Sequence, residues 1–190
     1  YVVISDNNVS LCKYYHERFP FKDPKPEDII LQEDAPIPEG LKEKKRKPIP
    51  THIIKDIQNK CMELDDDLRW LIALLSDTGM RLGEAVGLLK SDIILDTDTP
   101  HLNLIPHPWR RLKTSGSERK IPLVGASLWS AKRIKKSDPP NQFAFPRYCN
   151  EQTHNSNSAS AALNKWLRTH APKGCVVHSF RHSMRDRLRA

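Results

Sequence analysis

Seven of the chain's 15 prolines are crowded into residues 20–50, PFKDPKPEDIILQEDAPIPEGLKEKKRKPIP. Each proline fixes φ and removes a backbone donor, so a stretch this rich in them holds neither a helix interior nor a central strand. With mixed charge and few large apolar side chains, the segment reads as an extended linker covering 20–47. The KEKKRK run at 42–47 fits a solvated linker better than a localisation or phosphate-contacting patch. The linker therefore divides the 190 residues unequally. Before it, VSLCKYYHERF offers one candidate helix, too little for a core of its own and more like the last element of an upstream domain. After it, residues 48–190 are long enough to bury a substantial core.

The balance of 31 Lys+Arg against 23 Asp+Glu leaves a formal charge of +8, which favours a polyanionic partner. The longest apolar stretch, Trp70–Leu75, is far shorter than the roughly 20 residues a membrane helix needs. The chain opens YVVISDNNVS, with no secretory signal and no initiator Met, as expected of a piece of a longer protein. Its four cysteines, Cys12, Cys61, Cys149 and Cys175, have no paired spacing and are expected as free thiols. The sequon at Asn8 is then a chance match.

Within 48–190 the apolar spacing is mainly helical. Thr51 is expected to cap a first helix carrying Ile53, Ile54, Ile57 and Cys61, which ends at the acidic turn ELDDD. Leu68, Leu71, Ile72 and Leu75 form the stripe of a second helix. Gly79 interrupts it, and Leu82, Ala85, Val86 and Leu89 restart it as a third. Residues 101–123 change character: HLNLIP, PWRRLKT and ERKIPLV read as short antiparallel strands with a tight connection. Helices are expected again at 126–136, at 158–170, where Ala162, Leu163, Trp166 and Leu167 share a face, and from about Ser179. The fold class is a mainly helical α+β domain with one small antiparallel sheet.

Three segments carry residues suited to phosphate chemistry. In TGMRLGEAVGL (78–88), Gly79 permits a sharp bend between helices and places Arg81 in the first turn of the next one. A cation at the positive end of a helix is poorly placed for stability, which hints at an anionic ligand or a nearby carboxylate. Glu84, three residues on, lies on the same face and can orient the guanidinium. In LKTSGSERKIPL (112–123), a turn is bracketed by Lys113 and Arg119; a compact ammonium there can contact a phosphate and surrender a proton. In HSFRH (178–182), His178 and Arg181 at i and i+3 put a titratable donor beside a bidentate phosphate ligand. Cys175, His178 and His182 have ligand-like spacing, but three donors without a fourth do not argue for a structural metal, and no metal or cofactor is expected. Taken singly, each segment is better read as ordinary structure: an Arg–Glu surface pair, a charged hairpin tip, and histidines on a helix surface or in the core.

Taken in order, Arg81, then Lys113 in a hairpin, then His178-x-x-Arg181, the chain resembles the catalytic domain of tyrosine recombinases, the phage-integrase family. The matching residues are Thr78, Gly79, Arg81, Glu84 and Leu88; then Lys113, Thr114, Arg119 or Lys120, Pro122 and Leu123; then His178, Phe180 in place of the usual Leu, Arg181 and His182. FAFP at 143–146 looks like the aromatic-Pro segment between the last two motifs. The resemblance covers about residues 48–190 and makes 1–19 look like the tail of a DNA-binding arm. It implies the DNA breaking-rejoining fold and a metal-free transesterification. Arg81 and Arg181 would clamp the phosphate, Lys113 would act as general acid, and His178 would position the phosphate and manage the nucleophile's proton, with Glu84 and His182 in support. A Tyr would attack, forming a 3′-phosphotyrosyl link.

The family's Tyr follows the H-x-x-R box, whereas Tyr1, Tyr14, Tyr15 and Tyr148 all precede it. The chain is accordingly expected to hold the clamp without the nucleophile and to form no covalent adduct. The resemblance further implies double-stranded DNA as partner, a homotetramer on synapsed DNA for the whole protein, a monomer for this piece, no membrane association, and a cytoplasmic, nucleoid-associated location in a prokaryotic host. A type IB topoisomerase shares much of this chemistry, but the compact hairpin and the T-G-x-R box favour a recombinase. A helix-turn-helix regulator is opposed by the ordered phosphate-chemistry set. A metal-dependent nuclease lacks a carboxylate cluster, since Asp65, Asp66 and Asp67 are adjacent and point apart.

Overall fold

In the computed structural model, which describes residues 47–112, 117–137 and 142–189, the first helix α1 spans Thr51–Leu64. All of these residues fall in one unit, Arg46–Ala190. The candidate helix before the linker, the linker through Arg46, and Lys113 lie outside the described residues. Pro50, not Thr51, occupies the cap position of α1. Proline suits a helix start because the N–H it lacks would have had no partner there, so Thr51 becomes the first helical residue.

Ile54, Ile57 and Cys61 bury the inner face of α1, and Asp65 ends it in the left-handed region at φ 47°. The Asp65 side chain is held there by Trp70 Nε1 at 2.7 Å and by Arg133 Nε at 2.9 Å. Asp66 then caps α2 (Asp67–Thr78) by accepting from the Arg69 amide. α2 is the central helix. Leu71, Ile72, Ala73, Leu74 and Leu75 are all buried, because it is packed by α1 and by two later helices, α4 (Gly125–Lys136) and α6 (Ser179–Arg187). Gly79 closes α2 at φ 58°.

The third helix, α3, is shorter than its stripe suggests: it covers only Leu82–Val86, and Leu89 lies beyond it. A Cβ on Gly87 would sit 2.8 Å from Cδ of Arg110, so the chain turns at this glycine where that side chain crosses it. A 3-10 turn, Lys90–Asp92, leads into β1 (Ile93–Ile94), a strand the sequence pattern does not reveal. β1 pairs antiparallel with β2 (His101–Leu104), which pairs antiparallel with β3 (Arg119–Pro122), in the register Ile93↔Leu102↔Ile121 and Leu104↔Arg119.

The tight turn expected before ERKIPLV lies mostly outside the described residues, and no strand forms over 105–112, which holds the described part of PWRRLKT. Pro106 and Pro108 deprive that stretch of ladder donors. Instead His107 and Arg110 exchange backbone hydrogen bonds of 3.1 and 3.0 Å around a turn. FAFP lies beside the segment after α3, with Ala144 N donating to Leu88 O at 2.9 Å and Phe143 and Phe145 in the core. α5 (Ser156–Leu167) buries Leu163 and Leu167, and Ala162 and Trp166 are half-buried beside them.

α6 is tied down at both ends. Ser183 Oγ accepts from Ile49 N at 2.8 Å and donates to Ile49 O at 3.0 Å. Arg187 donates to Asp77 Oδ1 at 3.1 Å, and the other Asp77 oxygen accepts from Ala126 N at 3.0 Å. One buried carboxylate thus joins α2, α4 and α6. Cys61, Cys149 and Cys175 are free and buried, as the cysteine spacing predicted; Cys12 lies outside the described residues. No described helix is long and apolar enough to cross a membrane.

Candidate active site

The reversal at Gly79 brings the end of α2 against α6 more closely than any side chain would allow. A Cβ there would meet Met184 Cβ at 2.8 Å, in addition to the unfavourable positive φ. Two residues later Arg81 stands at the cap of α3, just before the first turn in which the sequence places it, and Glu84 faces it from that turn. Glu84 Oε2 accepts from the Arg81 amide at 2.9 Å, and Oε1 accepts from Arg81 Nη1 at 2.8 Å. Arg119, from the start of β3, donates Nη2 to Glu84 Oε2 at 2.8 Å and Nη1 to the Ser117 carbonyl at 2.7 Å.

The Glu84 side chain is 5% exposed, against 38% for Arg81 and 32% for Arg119. Burial pushes the Glu84 carboxyl upward, but the hydrogen bonds from the Arg81 amide, Arg119 and Arg81 outweigh it and leave the group below the usual glutamate range. Glu84 is therefore a buried anion holding two guanidinium groups that reach solvent. The register decides which of Arg119 and Lys120 takes part: Arg119 joins Glu84, while its neighbour Lys120 points outward and is exposed.

α6 supplies the third arginine. Arg181 donates Nη1 to the Gly79 carbonyl at 2.8 Å, across 102 residues of sequence. Burial lowers its proton affinity, the charges of Arg81 and Arg119 lower it further, and Glu84 works in the opposite direction. Through the Gly79 carbonyl, two residues before Arg81, α6 thus adds a third cation next to the Arg81–Glu84–Arg119 group. His178 holds the cap position of α6, and its ring meets that of His182 edge-on, with centroids 5.1 Å apart. Of the residues the sequence singled out, Arg81, Glu84 and Arg181 are brought together with Arg119 added, and His178 and His182 share the start of the helix that carries Arg181. Cys175 turns elsewhere, with its sulfur 3.7 Å from the Lys47 carbonyl.

Residues not singled out by the sequence surround α3. Arg110, 1% exposed, donates Nη1 to the Glu84 carbonyl at 3.2 Å and Nη2 to Asp92 Oδ2 at 3.2 Å. His107 also reaches Asp92 at 3.2 Å and stacks on Trp109. His154 Nε2 lies 2.8 Å from the Gly83 carbonyl. An Arg beside a second Arg in a proline-rich segment gives no local sign that it is buried.

Among curated proteins, none matches the sequence significantly. Several solved structures share its fold. The XerA recombinase does so at 13% identity and a TM-score of 0.55, with 94% of this chain and 58% of that chain covered. The Tn1549 transposon integrase, solved in complex with circular intermediate DNA, is 20% identical with a TM-score of 0.54, covering 88% and 57%. The XerH site-specific recombinase, bound to a palindromic difH substrate in a post-cleavage complex, is 16% identical with a TM-score of 0.58, covering 94% and 52%. The chain thus spans little more than half the length of each. The fold is the mainly helical tyrosine-recombinase catalytic domain with its small antiparallel sheet. Residues 49–189, most of the chain, match the Phage integrase family, and to that family the chain belongs.

Proposed function

We propose that the protein carries out site-specific DNA recombination by strand cleavage and rejoining, and that this chain holds the phosphate-activating half of the chemistry. The observation that carries the reading is the buried Glu84 holding Arg81 and Arg119, with Arg181 bonded to the Gly79 carbonyl beside them, in a chain of the phage integrase family. Attack of a tyrosine hydroxyl on a phosphodiester forms a P–O bond to the tyrosine and breaks the bond to the 5′ oxygen. Negative charge builds on the non-bridging oxygens, and Arg81 and Arg181 hold it. Glu84 keeps the Arg81 fork oriented, so little reorganisation is needed as charge develops. Lys113 donates a proton to the leaving 5′ oxygen, and His178 positions the phosphate and takes the tyrosine's proton, with His182 beside it. The 3′-phosphotyrosyl link conserves the bond energy, and attack by a 5′ hydroxyl reverses the step on a new partner strand.

Double-stranded DNA is the substrate, and synapsis of two sites calls for a tetramer of the whole protein. The nucleophile is assigned to a tyrosine downstream of Arg181. On this reading the 190 residues by themselves form no covalent adduct, since their four tyrosines all precede Arg181. A version of the protein carrying a downstream tyrosine should trap a covalent adduct on a nicked suicide substrate in the presence of chelator. Arg81→Ala or Arg181→Ala in that version should slow trapping by about a hundredfold or more. Lys113→Ala should be rescued in part when sulfur replaces the 5′ oxygen, because a thiolate leaves without an acid. An adduct formed by the 190 residues alone would assign the nucleophile to one of the four upstream tyrosines and overturn the mapping. Relaxation of supercoiled DNA without strand exchange would mark a topoisomerase instead.

A further inference from the structure

α3 is a single turn, and a helix this short cannot be held by its own hydrogen bonds. Its last carbonyl groups need partners from elsewhere. Within the chain's own backbone, Gly87 N reaches Gly83 O at only 3.4 Å, and Leu88 N turns to Ala85 O at 3.2 Å, leaving the Glu84 carbonyl aside. Three side chains from distant segments meet this carbonyl edge. His154 Nε2 is 2.8 Å from Gly83 O, Arg110 Nη1 is 3.2 Å from Glu84 O, and Trp109 Nε1 is 3.2 Å from Gly87 O. A carbonyl oxygen only accepts, so Nε2 of His154 carries the proton.

The Arg110 anchor is expensive to bury. Burial lowers its proton affinity, with Asp92 opposing, and its Nε has no hydrogen-bond partner. A well-packed apolar side chain commonly gives at least as much stability as a buried ion pair. What the guanidinium supplies is direction: it joins the Glu84 carbonyl, the Ile105 carbonyl at 2.5 Å and Asp92, while its stem fills the notch left by Gly87. Asp92 is itself pinned by Leu89 N at 3.0 Å and by His107.

We propose that His154, Arg110 and Trp109 are positioning residues of the phosphate clamp. By capping the carbonyl edge of α3 they fix the turn whose side chain, Glu84, holds the forks of Arg81 and Arg119. The proposal rests on the reading of Arg81 as a DNA-phosphate ligand, and the test keeps the two apart. It uses the 190-residue chain with His154→Leu, which removes the donor, His154→Gln, which keeps one, and Trp109→Phe, which keeps the ring without its N–H. Thermal unfolding checks that each variant folds. The Nε–H resonances of Arg81 and Arg119, assigned with Arg81→Lys and Arg119→Lys, read the clamp directly. Titration of a labelled duplex at several salt concentrations reads phosphate contacts.

His154→Leu should shift or broaden both arginine resonances. It should also lower the slope of log Kd against log salt by about 0.9, the value of one lost phosphate contact. His154→Gln should restore both. Folded His154→Leu with unchanged resonances and slope overturns the proposal, and so does a loss equally large in the Gln variant. If His154→Leu fails to fold, Trp109→Phe is judged by the same two readouts. If Arg81→Ala leaves the salt slope of the parent, the phosphate-ligand reading fails on its own, and the resonances decide the positioning.

Discussion

Glu84 keeps its charge in a setting that disfavours charge. With its side chain 5% exposed, it depends on the Arg81 amide and the guanidinium groups of Arg81 and Arg119. Removing the negative charge leaves those donors facing a neutral group, so Glu84→Gln should cost about 2–3 kcal/mol of stability. The dependence on pH follows from the direction of the shift. A carboxyl whose folded-state pKa lies below its ordinary value of 4.5 contributes stability that is complete above that value and is lost as pH falls through the lower folded-state one. The difference in melting temperature between parent and Glu84→Gln should therefore be constant near neutral pH and shrink only below about pH 4.5. A difference that shrank between pH 6 and pH 8 would point to a histidine instead. At the same scale, Arg81 and Arg181 are the residues whose loss should be felt in chemistry more than in stability, since both are partly open to solvent.

The docking of α6 on the end of α2 is the element-scale event that assembles the site. Gly79 makes it possible twice over, by accepting φ 58° and by leaving room for Met184, and its carbonyl receives Arg181. Gly79→Ala combines backbone strain with a Cβ placed 2.8 Å from Met184 Cβ. It should cost about 2–3 kcal/mol and displace the N-terminal half of α6, visible as lost amide-exchange protection there. The other end of α6 is held through Asp77, which also receives Ala126 N. Asp77→Asn keeps the shape but weakens the Arg187 bond. It should lower stability by roughly 1–2 kcal/mol and loosen α4 together with α6, and amide exchange that changed in α6 alone would contradict the shared anchor.

At the scale of the whole molecule, the +8 charge and the cationic cluster argue for duplex binding through phosphates. Affinity of the 190 residues for unrelated duplexes should fall steeply with salt and vary little with sequence, as phosphate contacts carry no sequence information. Gel-shift titrations across several salt concentrations and two unrelated duplexes check both. An affinity indifferent to salt would count against the reading.

Sequence by itself determined what depends on near neighbours. The stripes of α1, α2 and α5 follow from residues three or four apart on a helix, the reversal at Gly79 from glycine's tolerance of positive φ, and the Arg81–Glu84 pair from a cap and the third residue of the turn it opens. The order of the three motifs, with their composition, was enough to point to the family. Tertiary structure decided whatever depended on register or on distant segments. Neighbouring residues in a strand face opposite ways, so only the pairing of β3 with β2 could select Arg119 over Lys120. Arg110 and Arg111 are alike in sequence, and which one is buried was settled by the notch at Gly87 and the carboxylate of Asp92. α3 falls short of its apolar stripe for the same reason, because the contact that ends it comes from a residue more than twenty positions away.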